Sequence, residues 1–150
     1  QGNKINTSIS TEGSQIFVLP PASGAVLNDR AGKAAPKTAN KPGGKKTATA
    51  SLEAVNKIRP DEAPYANGHS VVTDFFGEPI CVIRTTEIRH LPFAEVDAKF
   101  AFDEGEGDRS LKYWQDVHRT YFAREAADLG IEFTDLSVVC CERFRLLFPQ

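Results

Sequence analysis

The chain has 150 residues, of which 41% are hydrophobic and 25% charged, and its formal net charge is −2. This length and composition are typical of one globular domain and exclude a disordered or a membrane protein. No apolar run approaches the roughly 20 residues of a membrane helix. The longest N-terminal run, residues 16–19, is too short for the core of a signal peptide.

The two halves of the chain differ in composition and in charge. Residues 1–64 contain six of the nine prolines and one of the ten phenylalanines, whereas residues 65–150 contain nine phenylalanines, three tyrosines and the one tryptophan. Residues 1–60 carry nine basic and three acidic side chains, and the remainder carries nine basic and seventeen acidic. The small net charge is therefore a cancellation, and we expect the hydrophobic core in the second half.

The cysteines and the first residue indicate the setting of the protein. Cys81, Cys140 and Cys141 cannot all pair with one another, and they lack the CxxC spacing of a zinc site. Because free thiols are typical of reducing compartments, we expect a cytoplasmic protein. Cys140 and Cys141 are interpreted as structural, and neither a metal nor a cofactor is expected. The chain has no methionine and begins with Gln1, from which we expect a trimmed, fragmentary or engineered N-terminus.

Residues 1–43 are rich in small and polar residues and in proline. They carry too little apolar surface to offset the entropy lost on ordering, so we predict a flexible basic N-terminal segment with one short strand at residues 15–19. Alternatively, this segment is an arm that contacts nucleic acid, because basic residues recur here with Asp29 as the only nearby acid. These basic residues are Arg30, Lys33, Lys37, Lys41, Lys45 and Lys46.

The remaining sequence alternates between strand and helix patterns. Runs rich in β-branched and small residues predict strands at residues 46–52, 70–74, 80–88 and 136–148, with a polar loop after the first and a hairpin between the second and third.

Two helices are predicted between the last two strands. The shorter spans residues 95–102, and the longer spans residues 110–129, with Ser110 or Asp108 as its cap and Gly130 at its end. Strands with helices inserted between them indicate an α+β domain, built on a small curved sheet or barrel.

Two segments carry residue types that suit chemistry. Lys45 and Lys46 follow two glycines, but the spacing is not that of a nucleotide-binding P-loop. Residues 103–108 contain four carboxylates and favour either a solvated acidic loop at a helix N-terminus or a loop that turns one carboxylate inward as an acid or base. A calcium loop is disfavoured by the spacing. His118, on the apolar face of the longer helix, is interpreted as a core histidine.

Several motifs together resemble the ASCH domain family over residues 44–150. They are the GxK run of residues 44–52, residues 81–87, the Leu-Pro-Phe of residues 91–93, the EGEGDxSLxxW stretch within residues 100–114, His118 and residues 139–144. The resemblance implies a PUA-like α+β fold, a curved β-barrel with flanking helices, and a function in RNA binding or on modified nucleosides. The family usually has an amphipathic helix before GxK, so residues 1–43 are atypical.

One branch of the superfamily consists of metal-independent amidohydrolases that remove the acetyl group of N4-acetylcytidine. The resemblance to it implies Lys46, Thr49 and Glu104 as catalytic residues. Thr49 would attack the acetamide carbonyl, and Lys46 would remove its proton or stabilise the oxyanion. Glu104 would protonate the departing amine or orient Lys46. Lys46 and Thr49 would converge only if the chain bends at Lys46–Thr47, since residues three apart on a strand face opposite sides.

The partner expected from the resemblance is a modified nucleoside or RNA, with no membrane and an unassigned oligomeric state. Substrate binding is predicted for Lys45, Arg84, Tyr113 and Trp114. Two alternatives stay open: an RNA-binding module without catalysis, in which residues 30–59 contact phosphates and aromatic side chains stack on bases, or a ribonuclease. In a ribonuclease the GxK lysine would act with a tyrosine, serine and arginine, for which Tyr113, Tyr121, Ser51 and Arg84 are available.

Overall fold

A computed structural model describes the backbone of residues 14–18, 46–73 and 79–149, and the side chains of the last two ranges except those of residues 61, 73 and 80. The strands are β1 (Ser14–Val18), β2 (Ala48–Leu52), β3 (His69–Thr73), β4 (Pro79–Pro92) and β5 (Val138–Phe148), and the helices are α1 (Glu53–Ile58), α2 (Ala98–Glu104) and α3 (Leu111–Asp128). Apart from β1, the predicted N-terminal segment and its boundary at residue 43 lie outside the described residues. Within the described ranges, no helix is both long and apolar enough to span a bilayer.

The five strands form one sheet in the order β1-β3-β4-β5-β2. The pairs β3–β4, β4–β5 and β5–β2 are antiparallel, and β1 lies parallel to β3. The register between β4 and β5 shifts between Val82 and Ile83 and again between Thr85 and Glu87. Such bulges bend a strand and increase its twist, so the two irregularities curl the sheet. The α+β fold predicted from the sequence is confirmed.

The two faces of the sheet bury different sets of residues. The helix face, as we term it, packs β2 and β5 through Ala48 and Val139 against side chains of α2 and α3 such as Phe100 and Trp114. Because side chains alternate along a strand, Thr49, Ser51, Cys140, Glu142 and Phe144 lie on the opposite face. That opposite face contains the second apolar cluster, formed by Val72, Cys81, Ile83 and Phe144. The cysteines are buried, and the adjacent pair divides between the two faces as predicted.

Local sequence explains where α2 and α3 begin and end. The Asp97 side chain accepts a hydrogen bond from the backbone N–H of Phe100 at 2.8 Å, and Ser110 accepts from the N–H of Tyr113 at 3.1 Å. These are N-caps that satisfy free N–H groups of a first turn. Gly105 follows α2 with a φ of 75°, a left-handed conformation that suits glycine at a helix C-terminus. Both predicted helices are confirmed, with α2 shifted toward the C-terminus.

The structure differs from the predicted elements in two places. Residues 53–58, expected in a polar loop, form α1, which has no side-chain cap and whose Ala54 and Val55 pack on the helix-face core. Short helices are stable in proteins mainly through such tertiary packing. The strand predicted at residues 80–88 continues to Pro92 because it pairs with β5 as far as Val138.

Candidate active site

The site is built around Lys46, which is 1% exposed and stands just before β2. The neighbouring residue Thr47 does not belong to the strand. Its N–H and its hydroxyl donate to the carbonyl oxygen of Asp103 at 2.8 and 3.3 Å, and its own carbonyl accepts from the N–H of Phe144 at 3.0 Å. Thr47 is therefore held between α2 and β5 just before β2 begins. The bend that would bring Lys46 and Thr49 together stays a prediction.

The ammonium group of Lys46 lies between two carboxylates. Its Nζ donates to Glu104 Oε1 and to the Glu104 carbonyl oxygen, each at 3.4 Å, and to Glu106 Oε1 at 3.2 Å. All three donors of an ammonium group are thus directed at acceptors. In this arrangement Lys46 acts as a buried positive charge and hydrogen-bond donor.

Glu104 ends α2 and is 1% exposed. Its Oε2 accepts from the indole N–H of Trp114, and its Oε1 lies 3.2 Å from His118 Nε2. Burial alone would raise the pKa of this carboxyl, but the positive charges of His118 and Lys46 and the hydrogen bonds outweigh it and lower the pKa to about 2. Glu104 is therefore ionised near neutral pH. Of its two predicted roles, this geometry favours orienting Lys46 over donating a proton.

His118, on α3, completes a buried cluster with Lys46, Glu104 and Trp114. Its Nδ1 lies 2.9 Å from the carbonyl oxygen of Trp114, and its Nε2 faces Glu104. Because both partners are acceptors, both ring nitrogens are satisfied as donors only in the imidazolium form. Burial would lower the pKa of His118, but the Glu104 carboxylate raises it above its usual value. His118 is a satisfied core histidine, as interpreted from the sequence, and it also balances the charge of Glu104.

The four predicted substrate-binding residues do not share one environment in the structure. Trp114 is 2% exposed, with Phe93 stacked at a centroid distance of 5.4 Å and His118 at 4.2 Å. With both ring faces covered, it has no surface on which a base can stack. Trp114, which was predicted to bind substrate, packs in the core, and its indole N–H donates to Glu104.

Of the other three, the structure describes Arg84 and Tyr113. Arg84 Nη2 donates to Asn67 Oδ1 at 2.9 Å, and Arg84 lies on the face opposite Thr85. Tyr113 is half-buried, and burial and then the charge of Glu106 raise its pKa, so it stands beside the acidic loop at the edge of the site. Lys45 lies outside the described residues.

Residues proposed for a ribonuclease are engaged elsewhere. The Tyr121 hydroxyl donates to Glu125 Oε1 at 2.8 Å, and the Ser51 hydroxyl accepts from Asn56 Nδ2 at 2.9 Å. Within the described part of the chain, neither side chain forms a hydrogen bond to Lys46.

Sequence reasoning did not assign a role to Glu142 or Thr85. Glu142 is 3% exposed and accepts a hydrogen bond from the Thr85 hydroxyl. In the β2–β5 register it lies directly opposite Thr49. Burial raises the pKa of Glu142, and the Thr85 hydrogen bond and the charge of Lys46 oppose this only in part. The available signal was a single carboxylate in the run of residues 138–144, which is apolar apart from Glu142 and Arg143. Glu142 alternates in step with Cys140 and Phe144, so it lies on the same strand face.

Three of these side chains could in principle hold a cation. One ligand atom each of Glu104, Glu106 and His118 lies within 4.8 Å of the others. The Lys46 ammonium, however, already contacts both carboxylates at 3.2–3.4 Å. A metal would have to displace this positive charge, so the residues present suit an ammonium rather than a metal ion at this point.

A separate groove of about 240 Å³ lies between β2, α1 and the end of α3, lined by residues such as Leu52, Lys57 and Ala126. None of the side chains of the buried cluster lines it.

Comparisons with known proteins agree with this architecture. The sequence model of the ASCH domain family matches residues 42–147. The ASCH domain from Lactobacillus crispatus JV V101 is 39% identical, with a TM-score of 0.64 over 69% of this chain and 65% of that one. Protein EF3133 from Enterococcus faecalis V583 is 30% identical, with a TM-score of 0.62 over 69% of this chain and 62% of that one.

The chain thus covers slightly less than two thirds of either of these solved structures. No curated protein sequence matches it. The family resemblance found in the motifs is confirmed by the sequence match and by both structures: the chain belongs to the ASCH domain family, whose members are PUA-like α+β domains associated with RNA binding.

Proposed function

We propose that the chain is a hydrolase that acts on modified nucleosides or RNA, and that it cleaves the acetamide of N4-acetylcytidine-like substrates. The observation that carries the proposal is the buried Lys46 ammonium between Glu104 and Glu106. Burying such charges rarely stabilises a fold more than apolar residues of the same volume would. Buried charges with shifted pKa values are instead frequent at functional sites.

Amide hydrolysis makes use of a fixed positive charge. When a nucleophile attacks the acetamide carbonyl, negative charge develops on its oxygen, and preorganised donors stabilise that charge. The Glu106 carboxylate, 3.2 Å from Lys46 Nζ, lies where such an oxyanion would be bound. Glu106 is the more exposed of the two carboxylates and lies between Gly105 and Gly107, both with positive φ. The oxyanion would replace it while Glu104 keeps Lys46 in place.

Thr49 is the proposed nucleophile. It is half-buried and lies on the strand face that also carries Glu142, its direct partner in the β2–β5 pair. The charge of Lys46 opposes the rise in the pKa of Glu142. The proposed site thus combines the Lys46 ammonium with the Thr49 hydroxyl.

The test is conversion of N4-acetylcytidine to cytidine and acetate, followed by the change in ultraviolet absorbance. Removal of a hydroxyl nucleophile should abolish turnover, so Thr49→Ala is expected to be inactive. Ser51→Ala, on the same strand face, is the matched control and should keep its activity. Lys46→Met is expected to lower kcat by about 10²–10³-fold, as when an oxyanion donor is lost. An active Thr49→Ala variant would exclude Thr49 as the nucleophile.

A second candidate, RNA binding without catalysis, is favoured by a row of basic residues. His69 lies opposite Arg84 in the β3–β4 register, and Arg84 lies opposite Arg145 in the β4–β5 register. Arg84 and Arg145 are like charges directly opposite each other, which destabilises a sheet, so this pair suits a phosphate backbone. Affinity for single-stranded RNA, measured by fluorescence anisotropy, should fall steeply with salt and in Arg145→Gln. An affinity independent of salt would remove this candidate.

A further inference from the structure

We propose that Glu142 is the group that accepts the proton of Thr49 during attack and returns it to the leaving amine. This inference rests on the proposed amide hydrolysis and adds a residue to it. Glu142 was not among the residues that the family resemblance implied.

The position of Glu142 on the sheet suits this role. Thr49 and Glu142 are direct partners in the antiparallel β2–β5 pair. Their strand neighbours Ala48 and Cys141 pack in the helix-face core, so both side chains lie on the opposite face. Directly opposite residues have Cβ atoms about 4.5–5.5 Å apart, which is within reach of a glutamate carboxylate.

Glu142 is also buried and oriented. It is 3% exposed, and the Thr85 hydroxyl donates to its Oε1. Its Oε2 accepts no hydrogen bond from any residue that the structure describes. A buried carboxylate oxygen without a donor costs free energy, and a ligand proton would satisfy it. Thr85 on β4 thus holds Oε1, and Oε2 is the oxygen that would accept the proton of Thr49.

The other titratable groups of the site are unsuited to accept the proton. Lys46 is a donor to two carboxylates. Glu104 accepts from Lys46, Trp114 and His118, and its pKa is lowered to about 2, so it is a weak base. Burial instead raises the pKa of Glu142, and a carboxylate of higher pKa is the stronger base. The charge of Lys46 acts on Glu142 and opposes the rise in its pKa. Cys140 is the neighbouring titratable group on the same strand face, and the charge of Glu142 contributes to its raised pKa.

The proposed steps balance. The Thr49 Oγ forms a bond to the acetamide carbon while its proton passes to Glu142, and the oxyanion is held by Lys46. The C–N bond then breaks, and Glu142 returns the proton to the leaving N4 amine, which leaves cytidine and an acetyl-threonine ester. A water molecule gives its proton to Glu142 and attacks the ester carbon. The bond between the ester carbon and Thr49 Oγ breaks, and Glu142 returns its proton to Thr49. The acetic acid that is released ionises to acetate in solvent.

Two assays separate this inference from the proposed function. The first is turnover of N4-acetylcytidine, in which Glu142→Gln should lower kcat by about 10²–10⁴-fold, the usual contribution of a general base, with little change in KM. Glu142→Asp should restore part of the activity, because it keeps a carboxylate. Glu132→Gln, an exposed control, should match the wild type.

The second assay uses p-nitrophenyl acetate, an activated ester that acetylates a nucleophilic hydroxyl without cytidine recognition, followed by peptide mass mapping of Thr49. With the reaction quenched in acid within the first turnover, before the ester is hydrolysed, we expect acetylation of Thr49 in the wild type and its loss in Glu142→Gln. Equal acetylation of both proteins would overturn the role of Glu142, even if N4-acetylcytidine is a substrate. If acetylation depends on Glu142 but N4-acetylcytidine is not turned over, the proposed substrate is wrong and the role of Glu142 as the general base is supported. No acetylation and no turnover in the wild type would overturn both.

Thr85→Val gives a readout that a purely structural role would not change. The valine removes the hydroxyl that lowers the pKa of Glu142, so the acidic limb of kcat/KM should move to higher pH. An unchanged limb in a folded, active Thr85→Val variant would contradict the assignment.

Discussion

Glu104→Gln should destabilise the protein in a way that depends on pH. The substitution keeps the shape of the side chain but removes the charge that faces Lys46 and His118. A carboxyl whose pKa falls from 4.5 to about 2 on folding contributes about 3 kcal/mol to the free energy of unfolding, since each tenfold change in an acid constant is worth about 1.4 kcal/mol. Loss of one partner of a buried ion pair costs about 3–5 kcal/mol, which agrees.

The sign of the pH dependence follows from the lowered pKa. The contribution of Glu104 is complete above pH 4.5, the usual pKa of the group, and it is lost as the pH falls toward 2. The wild type and Glu104→Gln should therefore differ most near pH 6 and converge as the solution becomes acidic.

Urea denaturation followed by circular dichroism measures this difference. With an m-value of about 2 kcal/mol/M, the midpoint at pH 6 should fall by roughly 1.5 M. Asp116→Asn, which removes an exposed acid from an ion pair on α3, is the control and should keep the wild-type midpoint. A Glu104→Gln midpoint within error of the wild type at pH 6, or a difference that does not shrink in acid, would refute the reasoning.

Three further predictions concern other parts of the domain. The raised pKa of His118 stabilises the fold below about pH 6.5, and this contribution is lost as the pH rises through the folded-state pKa. His118→Phe lacks the contribution, so its free energy of unfolding should fall less at alkaline pH. The denaturation midpoints of the wild type and the variant should draw together above the folded-state pKa. Gly107→Ala should lower the free energy of unfolding by about 1–3 kcal/mol, because its φ is 54° and a Cβ would lie 2.3 Å from a tyrosine ring; an unchanged thermal midpoint would contradict this. Burial raises the pKa of the Cys140 and Cys141 thiols to about 12. These thiols should therefore not react with a disulfide reagent at pH 8 until the protein unfolds. Rapid reaction of the native protein would show that the strand is exposed.

Local sequence patterns were sufficient for much of the fold. The spacing of apolar residues in α3, its cap Ser110 and its end at Gly130 depend on neighbours along the chain, so they were readable in advance. The helix α1 was missed because it has six residues and no capping side chain; its stability comes from packing on a core that is distant in sequence.

The candidate site likewise combines features that the sequence could show with features that depend on tertiary packing. The sequence marked Lys46 and Glu104 through a family motif, and their contact at 3.4 Å is present in the structure. It could not show that Trp114 would be enclosed between two rings, because that depends on Phe93 and His118 reaching it from other segments.

The sequence by itself determined the α+β class, the family and the residue types of the buried cluster, because these depend on periodicity, caps and motifs. Only the tertiary structure decided the surroundings and the pKa of each buried carboxylate. Glu104 is surrounded by three donors and is held ionised, whereas Glu142 faces a single hydroxyl and keeps a raised pKa. The physical reason is that burial and neighbouring charge set the behaviour of an acid, and both come from the curl of β4 and the packing of α2 and α3 rather than from adjacent residues.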